Sequence, residues 1–288
     1  MKPERDAISG ELTTGHEWNG IKELNTPMPK AFRIWLWGSI AVAVVMWLLY
    51  PTWPFVTDYT RGLLGYSSRS VVTDQVASGQ RHRVETFAPF ETQDVTTLAQ
   101  DPTLRPQYEA SIGVLYRDNC MVCHGRDLLG QNGFPNLTDG HWLWSGLPDE
   151  IEYTLQVGIN ADHEDTRYAE MPAFGRDEML EKADIADVVD YVLAISGAEH
   201  NPDAVARGGE LFAENCSGCH NDDGIGDLES GAPSLVDAAW IYGGTRQDIL
   251  KTVNDGRAGV MPSWSDRLTE AEIRMLTLYV LWAGQGDD

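Results

Sequence analysis

Cys120-Met121-Val122-Cys123-His124 and Cys216-Ser217-Gly218-Cys219-His220 decide the reading of this 288-residue chain. Together they use all 4 cysteines, in one pattern, twice. Residues i, i+3 and i+4 of a helical turn project from one face, so two thiols stand beside an imidazole. That set can bond the two vinyl groups of a haem while the imidazole reaches its iron. Zinc is the rival for such donors, but each pentad offers only three ligands, and a four-thiolate site has to join pairs roughly a hundred residues apart. The spacing predicts two covalently bound haem c groups, anchored at Cys120 and Cys123 and at Cys216 and Cys219, with His124 and His220 on the irons.

The surroundings of the pentads repeat as well. Gly113-Val-Leu-Tyr-Arg-Asp-Asn119 leads into the first and Gly209-Glu-Leu-Phe-Ala-Glu-Asn215 into the second. Leu137-Thr-Asp139-Gly-His-Trp142-Leu-Trp144 parallels Leu235-Val-Asp237-Ala-Ala-Trp240-Ile-Tyr242, and Met171-Pro172-Ala-Phe174 parallels Met261-Pro262-Ser-Trp264. The offset drifts between these motifs, as expected when surface loops lengthen independently. Each copy ends in apolar residues at three and four spacing, from Asp184 to Val192 and from Glu272 to Val280, the pattern of a half-buried helix. Thr269 and Glu272 form a capping box for the second of these helices. Stop and turn signals in Ser196-Gly-Ala-Glu-His-Asn-Pro202 place the boundary between copies there.

A sixth iron ligand separates an electron carrier from an open catalytic site. Met171 and Met261 each precede a proline, which holds the methionine backbone extended and out of helix. A thioether opposite histidine favours ferrous iron and raises the potential. Their matched places after both pentads mark Met171 and Met261 as iron ligands, against the ordinary role of a methionine as core filler. Met121, Met179 and Met275 read as packing residues. His163 is the rival in the first copy, because its distance along the chain from His124 is close to that of Met261 from His220. A surface or satisfied histidine is the default reading of His163, and His141 stands where the second copy has Ala239, so both histidines are left off the ligand set. Trp142, Trp144, Trp240 and Tyr242 either wall the haem pockets or fill ordinary aromatic core. The acidic runs Asp222-Asp223 and Glu150 to Glu152 read as solvated faces.

From Ile34 to Tyr50 the chain is apolar on every face, and no charge follows until Asp58. With its flanks, residues 31–56, it is long enough to cross a hydrocarbon layer of about 30 Å. Tryptophans at both ends fit aromatic belts. A secretory signal has a shorter apolar region and a small-residue cleavage site, which this stretch does not offer. Lys22, Lys30 and Arg33 precede the span and only Arg61 and Arg69 follow closely, so the N-terminus is expected in the cytoplasm and the haem-bearing part outside. With 21 basic and 44 acidic residues the formal net charge is −23, which excludes a general affinity for nucleic acid. The same charge suits attraction of a basic protein donor such as a soluble cytochrome c, an attraction that salt weakens.

Thr14-Gly15-His16-Glu17-Trp18-Asn19-Gly20-Ile21-Lys22-Glu23-Leu24-Asn25-Thr26-Pro27 and Leu64-Gly65-Tyr66-Ser67-Ser68-Arg69 flank the anchor. Both resemble signatures of the CcoP or FixP family, the two-haem subunits of cbb3-type cytochrome c oxidases, although Asn19 stands where many relatives have aspartate. The likeness extends over nearly the whole chain. It implies a mainly α protein with one N-terminal transmembrane helix followed by two tandem class I cytochrome c-like haem domains. The expected division is a cytoplasmic segment 1–30, the anchor 31–56, a periplasmic connecting segment 57–106 and haem domains 107–198 and 199–288. The connecting segment, which has little periodicity, is expected to lie against partner subunits rather than to fold alone. His124 with Met171, and His220 with Met261, are the axial pairs this resemblance implies.

The implied role is that of an electron-transfer subunit, not an enzyme on its own, in the bacterial inner membrane. It takes electrons from a soluble or membrane-anchored cytochrome c and passes them to a mono-haem cytochrome c subunit. From there they reach the haem–copper subunit that reduces oxygen while protons are pumped. Two other roles fit the pentads: a free membrane-bound shuttle or dehydrogenase cytochrome subunit, and a two-haem peroxidase. The last needs one iron open to peroxide, against which the paired Met-Pro motifs argue. Met171→Leu and Met261→Leu are each expected to abolish one methionine–iron charge-transfer band and lower one potential while haem stays attached, as read by absorption spectroscopy and redox titration.

Overall fold

The structure, a computed structural model, describes residues 2–284 and forms an N-terminal unit up to His82 and a larger unit from Arg83 onward. In the first unit, β1 (Thr13–Trp18) and β2 (Ile21–Leu24) pair antiparallel with Trp18 opposite Ile21. The turn between them is Asn19-Gly20, at φ 50° and 88°. A two-residue hairpin turn of the I′ type requires positive φ at both positions, which asparagine or aspartate followed by glycine supplies. The first family-like signature is therefore a hairpin, and asparagine in place of aspartate leaves its geometry intact.

Helix α1 (Lys30–Leu49) follows Pro29 and buries none of its residues among protein atoms. Its 20 residues reach about 30 Å and are apolar enough to cross a membrane. It stops before the end of the expected 31–56 span because Pro51 pushes Tyr50 into extended backbone, φ −113° and ψ 160°. A helix end leaves carbonyls without partners. Here Leu63 N–H donates to the Leu48 carbonyl at 2.9 Å and Leu64 N–H to that of Leu49 at 3.1 Å. Tyr66 sets its ring edge-on against Tyr50, 5.6 Å between centroids. The second signature is thus the segment that closes the end of the apolar helix.

Residues 57–106 hold more structure than expected. Helix α2 (Ser68–Thr92) runs across the division between the units, and α3 (Val95–Ala99) is capped by Asp94, which accepts the Thr97 N–H at 2.8 Å. Most of α2 is exposed, so no apolar period marks it in the sequence. Its last turns are different: Phe90 is wholly buried and packs with Val95, Leu98, Tyr108, Ile112 and Leu278.

The second unit continues with α4 (Leu104–Asn119), α5 (Met121–His124), α6 (Pro148–Val157), α7 (Lys182–Ile195), α8 (Pro202–Asn215), α9 (Ser217–His220), α10 (Arg246–Asp255) and α11 (Glu270–Gly284). Helix α7 packs on α8 and α10, whereas α11 packs on α3, α4 and α6. The two copies have exchanged their last helices. The divisions 107–198 and 199–288 mark sequence copies, while each packed lobe takes its last helix from the other copy. The short link between α7 and α8 makes them antiparallel neighbours. Gly208 lets α8 approach the Asp187 backbone, Asp187 and Asp190 pair with Arg207 and Arg246, and the Asn201 N–H donates to Asp190 Oδ1 at 2.6 Å. The capping box at α11 is present, with Thr269 N–H to Glu272 Oε2 at 3.0 Å and Glu272 N–H to Thr269 Oγ1 at 3.2 Å. Thr245 and Asp248 form another at α10.

Phe90→Ala removes a wholly buried ring from this core and is expected to destabilise the protein by about 3–5 kcal/mol. Val84→Ala, at an exposed position of the same helix, is expected to change it little. Denaturant unfolding followed by circular dichroism measures both.

Candidate haem sites

Both pentads fold as one helical turn. Cys123 and His124 donate their N–H groups to the Cys120 carbonyl at 3.2 and 3.0 Å, and Cys219 and His220 donate to that of Cys216 at the same distances. The turn is left through a positive φ, 79° at Gly125 and 59° at Asn221. A loop then returns to the histidine: Gly130 N–H meets the His124 carbonyl at 2.9 Å and Gly226 N–H that of His220 at 3.0 Å. This brings a proline carbonyl to each imidazole, Pro135 to His124 Nδ1 at 3.2 Å and Pro233 to His220 Nδ1 at 2.9 Å. A carbonyl only accepts, so Nδ1 carries the proton and Nε2 keeps its lone pair, the tautomer a metal-bound histidine needs. Burial lowers the pKa of both histidines, partly opposed by these hydrogen bonds, which favours the neutral ring. Burial also pushes the Cys120 thiol up to about 12 and that of Cys216 up to about 11.

The histidines face cavities lined by both copies. One of about 680 Å³ is bounded by all four cysteines, both histidines, Met171 and Met261. A smaller one, about 120 Å³, lies against His124 and has Met261 in its wall. Met261 packs with Tyr116, Cys120 and Leu137 around the first pentad, and Met171 with Phe212, Cys216 and Leu235 around the second. The expected pairing of His124 with Met171 and His220 with Met261 is therefore crossed in space. Backbone pairing explains why: Ile159 and Met261 exchange hydrogen bonds at 2.8 and 2.9 Å, as do Arg257 and Met171. Each Met-Pro loop is an extended segment laid against the other copy.

The rest of the interface repeats the exchange. Gly231 leaves room for the Trp144 ring and Gly133 faces Tyr242, with Gly133 N–H donating to the Ile241 carbonyl at 2.8 Å. Within each copy a cation lies on an aromatic face, Arg167 over Trp144 at 5.0 Å and Arg257 over Tyr242 at 4.1 Å. Trp142 and Trp144 line the smaller cavity, and Trp144, Trp240 and Tyr242 the larger, so these aromatics border the cavities. His141 also lines the smaller cavity, with Nδ1 3.1 Å from Asp237 Oδ2. His163 lines neither cavity, and its Nδ1 accepts the Asp165 N–H at 3.1 Å. Met275 is buried and Met121 packs beside Cys120, but Met179 is exposed and outside any helix, contrary to its reading as packing. Nor is the Glu150 to Glu152 run wholly solvated, since Glu150 pairs with Arg167 and Glu152 with Arg274 at 3.3 Å, where burial raises the Glu152 pKa.

The residues fit haem c twice. Each thiol pair sits one turn from a correctly protonated imidazole at an apolar cavity, with a thioether in the wall. Three family descriptions match the chain: the N-terminal domain of cytochrome oxidase-cbb3, FixP, over residues 10–57, cytochrome c over 113–196, and cytochrome c oxidase, cbb3-type, subunit III, over 203–280. The cbb3-type cytochrome c oxidase subunit FixP of Bradyrhizobium sp. (strain ORS 278) is 41% identical over 285 residues, 98% of each chain. Subunit CcoP of Cereibacter sphaeroides is 41% identical over 292 residues, covering 100% of this chain and 99% of its own. The chain belongs to the CcoP/FixP family of cbb3-type cytochrome c oxidase subunits. Subunit CcoP of Azospirillum brasilense, 40% identical over 290 residues, extends the same relationship. Like the other CcoP/FixP chains, this one is an electron-transfer subunit with two cytochrome c domains and a helix apolar enough to anchor it.

Sequence reasoning missed Asn160, which lies three residues past the end of α6 at a positive φ of 47°. Its Nδ2 donates to the Ala169 carbonyl at 2.7 Å and to the Gly259 carbonyl at 2.9 Å, joining the loops that carry both methionines. Asn160→Ala leaves these carbonyls without that donor and is expected to cost about 1–3 kcal/mol in denaturant unfolding.

Proposed function

We propose that this chain is the membrane-anchored two-haem c-type cytochrome of a cbb3-type oxidase, with Cys120 and Cys123 holding one haem c and Cys216 and Cys219 the other. His124 and Met261 complete the first iron site and His220 and Met171 the second. The observation that carries this reading is the paired geometry: two histidines held by proline carbonyls through Nδ1, each in a pentad whose first cysteine packs in one apolar cluster with the methionine of the other copy. Haem bound there supplies reversible storage of one electron at iron.

The protein's own groups set the conditions for that storage. The proline carbonyls fix the imidazole planes and make Nε2 a better donor. The thioethers of Met171 and Met261 would favour the reduced state of a bound haem, and the mostly apolar cavity lining would surround it. Neither iron keeps an open position on this reading, which disfavours peroxidase chemistry.

Electrons enter from a periplasmic cytochrome c and leave to the mono-haem c subunit, on the way to the haem–copper centre that reduces oxygen while protons are pumped. The formal charge of −23 supports attraction of a basic donor. The basic residues before α1 support an N-terminus in the cytoplasm and haem domains in the periplasm. Purification in mild detergent, with mass spectrometry and a haem-stained gel, tests the assignment. The chain is expected to carry two haem adducts and to travel with haem–copper and mono-haem subunits; unmodified thiols at either pentad, or purification without those subunits, contradicts it.

A further inference from the structure

Helix α6 ends at Val157 and α10 at Asp255, and each is followed by a glycine of positive φ, 71° at Gly158 and 70° at Gly256. With ψ at −171° and 178°, both lie in the extended positive-φ region that glycine enters without a Cβ penalty. These two carry a second constraint. A Cβ on Gly158 falls 2.5 Å from the Met261 carbonyl oxygen, 2.6 Å from Ser263 N and 2.8 Å from Pro262 C. A Cβ on Gly256 falls 2.6 Å from the Met171 carbonyl oxygen, 2.9 Å from Ala173 N and 3.0 Å from Pro172 C. The obstacle is in both cases the backbone of the Met-Pro loop from the other copy, which has no rotamer by which to move aside.

The next residue in each copy is the one that tethers the loop. Ile159 and Arg257 hold Met261 and Met171 by paired backbone hydrogen bonds at 2.8 to 2.9 Å. Clearance and tether are thus adjacent, and any side chain at the glycine pushes the loop against its own tether. We infer that Gly158 and Gly256 are positioning residues for the crossed methionine ligands, Gly158 for Met261 at the His124 site and Gly256 for Met171 at the His220 site. The inference rests on the ligand assignment proposed above and adds to it which backbone position each thioether depends on.

Gly158→Ala, Gly256→Ala and Gly158→Asn in the full chain test it, with Gly197→Ala as control. Gly197 has a similar φ, 75°, but nothing within 4 Å of its Cβ direction, so it reports backbone strain alone. Asparagine already adopts nearly this conformation in the same chain, at Asn221 with φ 59° and ψ 163° against φ 71° and ψ −171° at Gly158, yet carries a Cβ, so it separates conformation from crowding. Absorption spectra and redox titration of the purified haem-loaded protein are the readouts, and the unaltered site in each variant is the internal standard for folding. Gly158→Ala is expected to lose the methionine–iron band and lower the potential at one site, Gly256→Ala at the other, Gly158→Asn to behave like Gly158→Ala, and Gly197→Ala to keep both bands. In a Met261→Leu background, Gly158→Ala is expected to shift neither potential further. Alanine variants that keep both bands at unchanged potentials, variants that lose both together, or rescue by asparagine would overturn the role of the glycines. A wild-type chain without methionine bands would instead overturn the ligand assignment beneath it.

Discussion

Four backbone hydrogen bonds, two between Ile159 and Met261 and two between Arg257 and Met171, lay each Met-Pro loop against the opposite copy. Everything else in the larger unit is arranged around that exchange. Once the loops cross, the helices that follow them must cross too. Helix α7 therefore completes the core around Phe212 and α11 the core around Tyr116. The methionine of each copy packs in the core around the other copy's pentad. Backbone hydrogen bonds contribute about 0.5–1.5 kcal/mol each, net. The four are thus comparable with a sizeable part of the stability of a typical domain, about 5–15 kcal/mol, and they also set where two sulfur atoms lie.

The histidine side of each site is built by local geometry alone. One helical turn, a positive-φ exit and a short returning loop bring a proline carbonyl to Nδ1 in both copies. Local construction and long-range exchange therefore meet at the cavities: each histidine is set within about one turn of the thiols, and the methionine packed around it comes from the far copy. Trp144 on Gly231 and Tyr242 on Gly133 close the seam between the copies, where no glycine side chain intervenes. The N-terminal unit serves a separate end, holding an apolar helix closed at its end by Leu63 and Leu64.

What could be read in the sequence follows the range of the interaction. The pentads, the Thr269–Glu272 capping box, the apolar span and the turn chemistry are all local, and the structure contains each of them. The aromatic positions Trp142, Trp144, Trp240 and Tyr242 border the cavities because their repeat phase is shared with the pentads. The exchange was illegible because the two Met-Pro loops have the same pattern, and a repeated sequence satisfies either pairing equally well. Its trace is the glycine that closes α6 and α10, an ordinary helix-stop signal whose second constraint appears only beside the loop it faces. Helix α2 escaped notice for the opposite reason: with most of its surface exposed, it has no apolar stripe, and only Phe87 and Phe90 at its end betray a core.

The crossed assignment is tested most directly in a chain that carries a single haem. With Cys120 and Cys123 both changed to serine, only the pentad at Cys216 can hold the group covalently, and a single methionine–iron band remains to be assigned. Adding Met171→Leu is predicted to abolish that band, whereas adding Met261→Leu is predicted to leave it in place. The reverse result, loss with Met261→Leu and retention with Met171→Leu, would show that each copy ligates its own iron and would contradict the account.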